Sequence, residues 1–149
     1  MARQDKLRAV RQVAQIRKTQ REAAELAAAR ASARLRELNE QRGEQARAQR
    51  LRQAQWVQSL AGKVLSLPLA QAWSADIASG AAHLEQIDNQ INESSRQKDL
   101  AACEWRAAQA RSEAVDLIAM DLNRRMQRLR EEAAISELAD RYAWGADRS

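Results

Sequence analysis

The chain has 149 residues, enough for one ordinary domain, and it contains no Phe, one Tyr, one Pro and four Gly. Ala, Gln, Arg, Glu and Leu dominate, which is typical of long helices or coiled coils and excludes a thick core rich in aromatic volume. The net charge of +5 is unevenly divided, since residues 1–60 hold 14 Lys and Arg against 6 Asp and Glu, and residues 61–149 hold 11 against 14. Because oppositely charged helices attract, this asymmetry favours a chain that folds back on itself over two like strands in parallel.

The chain lacks the residues that characterise several functional classes of protein. The single Cys103 excludes an intramolecular disulfide, and the single His83 excludes a pair of His metal ligands. No apolar signal segment and no run of roughly 18 apolar residues is present. Phosphate-binding glycine loops and the common hydrolase motifs are also missing. We therefore expect a cytoplasmic, non-enzymatic protein without a metal or cofactor.

Residues 3–61 are predicted to form the first helix. Steps of alternating three and four residues trace one seam along it, in which nine of sixteen positions are apolar and those between 42 and 52 are all polar. Val13, Ile16 and Leu26 lie off this seam and widen the apolar face, which suggests contact with a third surface. The seam positions are Leu7, Val10, Ala14, Arg17, Arg21, Ala24, Ala28, Ala31, Leu35, Leu38, Arg42, Gln45, Gln49, Arg52, Trp56 and Ser59.

The helices are predicted to be separated by a hairpin tip at about 62–69. Gly62 can take the left-handed conformation that closes a helix. Ser66 can cap the next helix, and Pro68 is tolerated in a first turn. The only proline of the protein thus lies near the point that divides it into two comparable helices.

The second helix is predicted to run from about 69 to 142, to end before Gly145 and to leave a short tail, 143–149. Fourteen of its nineteen seam positions are apolar, and the register holds from Trp73 to Ser136. A 3.5-residue repeat kept over this length indicates a helix that winds around another helix. The longer second helix is expected to overhang the first or to meet the N-terminus unevenly, and Gly43 and Gly80, similarly distant from the tip, are expected to face each other. The seam positions are Trp73, Ile77, Gly80, Leu84, Ile87, Ile91, Ser94, Lys98, Ala101, Trp105, Ala108, Ser112, Val115, Ala119, Leu122, Met126, Leu129, Ala133 and Ser136.

The predicted fold is therefore all-α, a single domain formed by a long two-helix antiparallel coiled-coil hairpin. Such a hairpin brings Trp56 and Trp73 together near its tip. The pair is interpreted first as a hydrophobic clasp for the hairpin, and second as a docking patch with Leu60, Val64 and Ile77, since aromatic side chains anchor interfaces.

Basic residues concentrate at the N-terminus. A dense positive stripe is all that electrostatic binding to nucleic acid requires, but no stacking platform accompanies this one. A solvated face or protein docking is therefore favoured over nucleic acid, and nucleic acid over a membrane surface. The stripe contains Arg3, Lys6, Arg8, Arg11, Arg17, Lys18 and Arg21.

Three short segments of the second helix resemble the flagellar FliJ family and its injectisome counterparts, the YscO-like proteins. They are residues 105–108, with the sequence WRAA, residues 122–129, with LNRRMQRL, and residues 136–142, with SELADRY. A basic first helix and tryptophans in the hairpin half extend the likeness in architecture to nearly the whole chain. The chain departs from the family in having few aromatic residues besides Trp near the tip.

The resemblance implies a stalk-like component of type III flagellar protein export, located at the export apparatus on the inner membrane. Its partners would be the hexameric export ATPase, which it stimulates, an export gate protein and export chaperones, with no small-molecule substrate. The terminal end would seat in the ATPase ring, and the hairpin half would face the gate. The implied ATPase contacts are Leu7, Arg8, Val10, Arg11, Val13, Ile16, Met126, Leu129, Ile135 and Leu138, and the implied gate contacts are Trp56, Leu60, Trp73 and Ile77.

Two other functions fit the residues alone. One is a generic coiled-coil adaptor that dimerises through the same seam, and the other is a basic rod that binds nucleic acid. The sequence does not separate a flagellar role from an injectisome role.

Overall fold

Two long helices account for almost all of the structure, a computed structural model that describes residues 2–62, 64 and 66–148. Helix α1 spans Ala2–Leu60 and helix α2 spans Leu67–Ala146. They contain 59 and 80 residues, and no strand occurs in the described part of the chain. The predicted all-α fold of two antiparallel helices is confirmed.

The helix ends follow the local sequence. Gly62 has a φ of 77°, so it takes the left-handed conformation that was predicted to close α1. The carbonyl of Ser66 accepts the first hydrogen bond of α2, at 3.0 Å from the amide nitrogen of Ala70, which places Ser66 at the cap and Pro68 in the first turn. Of the predicted tip positions, 63 and 65 lie outside the described residues.

At its other end, α2 continues through Gly145 to Ala146, although the sequence predicted an end before Gly145. One glycine costs a helix only about 1 kcal/mol relative to Ala. The backbone hydrogen bonds continue past it, since the amide of Asp147 donates to the carbonyl of Ala143 at 3.3 Å.

Contacts between residues group the chain into two compact units. We call residues 25–104 the hairpin unit, and residues 1–24 together with 105–149 the terminal unit. Within each unit a segment of α1 packs against a segment of α2 that runs in the opposite direction.

The core of the hairpin unit lies on the predicted seam. Leu38 and Ile87 are its buried apolar residues, exposed by 2% and 5%. Most other seam positions of this unit are half-buried or buried, and the exposed ones are Arg42, Arg52, Ser59 and Lys98. Burial of one stripe on each helix supplies the hydrophobic stabilisation that the two helices lack individually.

Two ion pairs join the helices of the hairpin unit, Arg42 with Asp88 and Arg52 with Asp76. The hydrogen bond from Arg42 and the charge of Asp88 raise the pKa of the Arg42 guanidinium above its ordinary value. When folding raises the pKa of a group, its protonated form stabilises the folded state at pH values below the pKa that the group has in the unfolded chain. This contribution is lost only as the pH rises through the pKa that the group has in the folded protein. The Arg42 guanidinium therefore introduces no pH dependence of stability near neutrality.

Gly80 contacts Gln49, not Gly43, so the expectation that the two glycines face each other is wrong. Gln49 is buried, and its side-chain amide donates to the carbonyl of Ile77 at 3.1 Å. A Cβ built on Gly80 would overlap this amide, whereas a Cβ on Gly43 would meet only Arg47, at 3.8 Å. The distances of the two glycines from the tip did not predict the Gly80–Gln49 contact, because the partner of each glycine depends on the exact register of the two helices.

Replacing the two glycines by Ala should have different effects. Gly43→Ala should stabilise the protein by about 0.5–1 kcal/mol, because Ala loses less backbone entropy in a helix. Gly80→Ala should give almost no net gain, because the new methyl displaces Gln49 from a hydrogen bond worth about 1 kcal/mol. Urea denaturation followed by circular dichroism measures both changes in the free energy of unfolding.

A double-mutant cycle provides the control for this prediction. In a Gln49→Ala background, Gly80→Ala should recover the gain seen at Gly43, because the overlapping amide is gone. Equal stabilisation by Gly43→Ala and Gly80→Ala in the natural sequence would show that Gln49 does not constrain the site.

In the terminal unit, the seam of α2 packs only as far as Met126. The positions from Trp105 to Met126 are half-buried or buried, while every residue from 127 to 148 is exposed. The predicted seam positions Leu129, Ala133 and Ser136 are therefore not covered. Helix α1 begins at Ala2, and the next residue, Arg3, lines a groove with Arg125, Met126, Arg128 and Leu129, so no described residue of α1 packs beyond this point. The overhang expected for the longer helix is confirmed.

Candidate protein-interaction surfaces

The terminal unit brings together most of the residues implied as ATPase contacts. Leu7, Val10 and Met126 are half-buried on the seam. Arg8 and Arg11 line a groove with Leu7 and Met126, where the Arg11 guanidinium donates to Oδ1 of Asn123 at 3.0 Å.

Basic side chains surround Met126 in two grooves, which we call the basic collar. One groove, of about 440 Å³, is lined by basic residues from both helices together with Leu122, Leu129 and the single acidic residue Glu132. The second, of about 740 Å³, has no acidic residue in its lining. The collar consists of Arg3, Lys6, Arg8, Arg11, Arg125, Arg128 and Arg130.

The collar combines positive charge with partly exposed apolar surface. Of its seven basic residues, Arg125 is paired with an acidic group, Asp121, at 2.9 Å, and no other collar residue has an ion pair within the described ranges. Leu129 is 40% exposed beside them. Unpaired charges around apolar contacts favour binding to a protein surface of complementary, acidic potential.

A third groove of the terminal unit is apolar. Val10, Val13, Val115 and Ile118 line it, and Val13 and Ile118 are exposed. Ile16 is also exposed, so the expected widening of the apolar face at Val13 and Ile16 is present on the surface. This groove extends the collar along the unit, because Lys6 lines both.

Ile135 and Leu138 are not part of the collar. Both are exposed on the overhanging part of α2, and Leu138 lies in a shallow groove with Arg141 and Tyr142. The ten implied ATPase contacts thus divide into a set around the collar and a set farther along α2.

The four implied gate contacts lie in the hairpin unit and are all half-buried. The rings of Trp56 and Trp73 have centroids 6.1 Å apart and an interplanar angle of 37°. Nε1 of Trp56 donates to Asp76 at 3.4 Å, while Nε1 of Trp73 is buried without a hydrogen-bond partner among the residues described. The predicted proximity of the two indoles is confirmed, and their mutual contact favours the clasp over the docking patch.

Removing either indole of the clasp should destabilise the hairpin unit. Trp56→Ala and Trp73→Ala should each cost about 2 kcal/mol, less than a fully buried Trp because both are half-exposed. The double variant should cost less than the sum, since the aromatic pair itself contributes about 0.5–1.5 kcal/mol. Trp144→Ala is the control, because Trp144 is exposed near the end of α2. Additive costs in thermal unfolding would contradict a clasp.

Three further apolar residues are exposed in the terminal unit, and the sequence patterns did not predict them as contacts. They are Leu117, Ile118 and Met120. They lie off the seam, so the heptad pattern of α2 does not include them. The same step of three and four residues, applied to the opposite side of α2, would have found Leu117 and Met120.

No helix in the described part of the chain is long and apolar enough to cross a membrane. Comparisons found no family model, no curated protein and no solved structure that matches this chain.

Proposed function

We propose that this chain is a non-enzymatic, stalk-like component of type III flagellar protein export that binds and stimulates the hexameric export ATPase. The observation that carries the proposal is the basic collar, in which both helices of the terminal unit contribute cations around Leu7, Met126 and Leu129. The resemblance of residues 105–108, 122–129 and 136–142 to the FliJ family supports it.

In this proposal the collar is the surface that enters the ATPase ring. Its charges would be attracted to acidic loops at the pore, and complementary charge accelerates encounter more than it strengthens the final complex. The apolar residues between the charges would then supply the stabilising contact, because buried apolar area dominates most protein interfaces. Helices packed along a seam give the stalk the stiffness to transmit force to the ring.

The hairpin unit, with Trp56, Leu60, Trp73 and Ile77, would face the export gate, and export chaperones would bind along the helices. The protein would be cytoplasmic and reach the inner membrane only through the export apparatus. The exposed apolar residues at the start of α2, such as Leu67, offer a gate contact that leaves the clasp intact.

Co-sedimentation with the purified export ATPase of the same organism tests the proposed partner. The chain should sediment with the ATPase at low salt and progressively less as the salt concentration rises, because exposed charges are screened. Absence of co-sedimentation at every salt concentration would remove the ATPase as a partner.

Nucleic-acid binding is the second candidate, since the collar also suits phosphates. It predicts that affinity for random DNA falls linearly with salt on logarithmic axes. An adaptor that dimerises through the seam is less favoured, because in each unit the seams of α1 and α2 already cover each other.

A further inference from the structure

The overhanging helix carries a second apolar face, which we call the outer face. Its large apolar residues are exposed by between 52% and 79%. A helix turns by about 100° per residue, so these residues share one side of α2, roughly opposite the seam residues Leu122 and Met126. None of the described residues covers the outer face. The outer face consists of Leu117, Met120, Ile135, Leu138 and Tyr142.

Charge divides the same part of α2 into two halves. Residues 124–130 contain four Arg and no acidic residue, and residues 131–140 contain four acidic residues and no basic one. The boundary falls between the two apolar groups of the outer face, Leu117 with Met120 before it and Ile135 with Leu138 after it.

We propose that two copies of this chain, when their collars are not bound to the ATPase, pair antiparallel through their outer faces, centred between Arg128 and Glu131. In this register Leu117 lies opposite Tyr142 of the second copy, and Met120 lies opposite Ala139 of the second copy, next to Leu138. Arg128 of each copy then faces Glu131 of the other, so the central contact is a pair of symmetric ion pairs.

The charges favour a second copy of this chain as the partner of the outer face, and they favour antiparallel over parallel pairing. On the outer face itself, an antiparallel pair places Arg128 of each copy beside Glu131 of the other, whereas a parallel pair in register places Arg128 beside Arg128 and Glu131 beside Glu131. Arg124 lies opposite Ile135 of the second copy, where its aliphatic stem can cover the apolar side chain while the charge stays in water. Gln127 donates to Glu131 at 3.4 Å, which orients the central carboxylate.

Sedimentation velocity of the full chain over a range of micromolar concentrations tests the pairing. The natural sequence should dimerise with increasing concentration. Arg128→Glu and Glu131→Arg should each weaken the dimer at least about tenfold, because symmetry converts two attractions into two repulsions. The double exchange Arg128→Glu with Glu131→Arg should restore it, since both ion pairs re-form with reversed sign.

A matched control is available in the hairpin unit. Arg96 and Glu93 are an exposed ion pair with the same three-residue spacing on α2, at 3.7 Å. Arg96→Glu and Glu93→Arg should leave dimerisation unchanged. A monomer at all concentrations, or a dimer that neither exchange at 128 and 131 affects, would overturn the proposal.

Spin labels measure the direction of the pairing. With Cys103→Ser to remove the native thiol, labels at Gln127→Cys should lie within about 20 Å of each other, and labels at Ala110→Cys about 60 Å apart. Short distances at both positions would show a parallel dimer and overturn the antiparallel assignment.

Discussion

Arg8→Glu together with Arg11→Glu is expected to abolish the proposed stimulation of the export ATPase, returning the hydrolysis rate to that of the ATPase alone. Both residues line the collar with Leu7 and Met126, and reversing two charges changes the charge of that groove by four units. In the proposed complex, attraction to an acidic pore would become repulsion, which would lower the rate of association most strongly at low salt. Steady-state phosphate release at several salt concentrations measures the effect.

The control for this variant is Arg47→Glu together with Arg50→Glu. These residues have the same spacing on α1 but lie in the hairpin unit, and both are exposed. Arg47 also makes one local hydrogen bond, to the carbonyl of Gly43 at 3.3 Å. Equal loss of stimulation by the two double variants would show that net charge, not the collar, is responsible.

Leu38→Ala is expected to cost the hairpin unit about 2–5 kcal/mol. Leu38 is 2% exposed and is the largest fully buried apolar side chain of the structure. In a two-helix core few neighbours can move in to fill the space, so both the lost transfer free energy and the cavity contribute. Denaturant unfolding followed by helical circular dichroism measures the change.

Leu26→Ala is the matched control in the same unit and on the same helix. Leu26 is 51% exposed, so its replacement should change the free energy of unfolding by no more than about 0.5 kcal/mol. If the two variants had similar costs, Leu38 would not be the central contact between the helices.

The heptad seam predicted the fold well because burial along two long helices repeats at a fixed spacing. Leu38, Ile87 and Met126 all lie on the predicted seam and are covered. The Gln49–Gly80 contact was not predictable, because it depends on register and on one side-chain rotamer. The end of the packed seam at Met126 depends on where the facing helix begins, which periodicity within α2 does not contain.

The candidate surfaces were predictable in part. The basic N-terminus and the apolar residues Val13 and Ile16 were visible as sequence patterns. The contribution of Arg125, Arg128 and Arg130 to the same collar was not, because it requires knowing which turns of the two helices lie side by side. The outer face was not predicted because its residues lie off the heptad seam.

Stimulation of ATP hydrolysis by the purified, unmodified chain tests the proposed function most directly. The measurement is the hydrolysis rate of the export ATPase from the same organism, together with its assembly into hexamers, as the chain is added. The proposed stalk predicts that both increase and reach a plateau. An unchanged rate and unchanged assembly, with the chain folded and in excess, would contradict it.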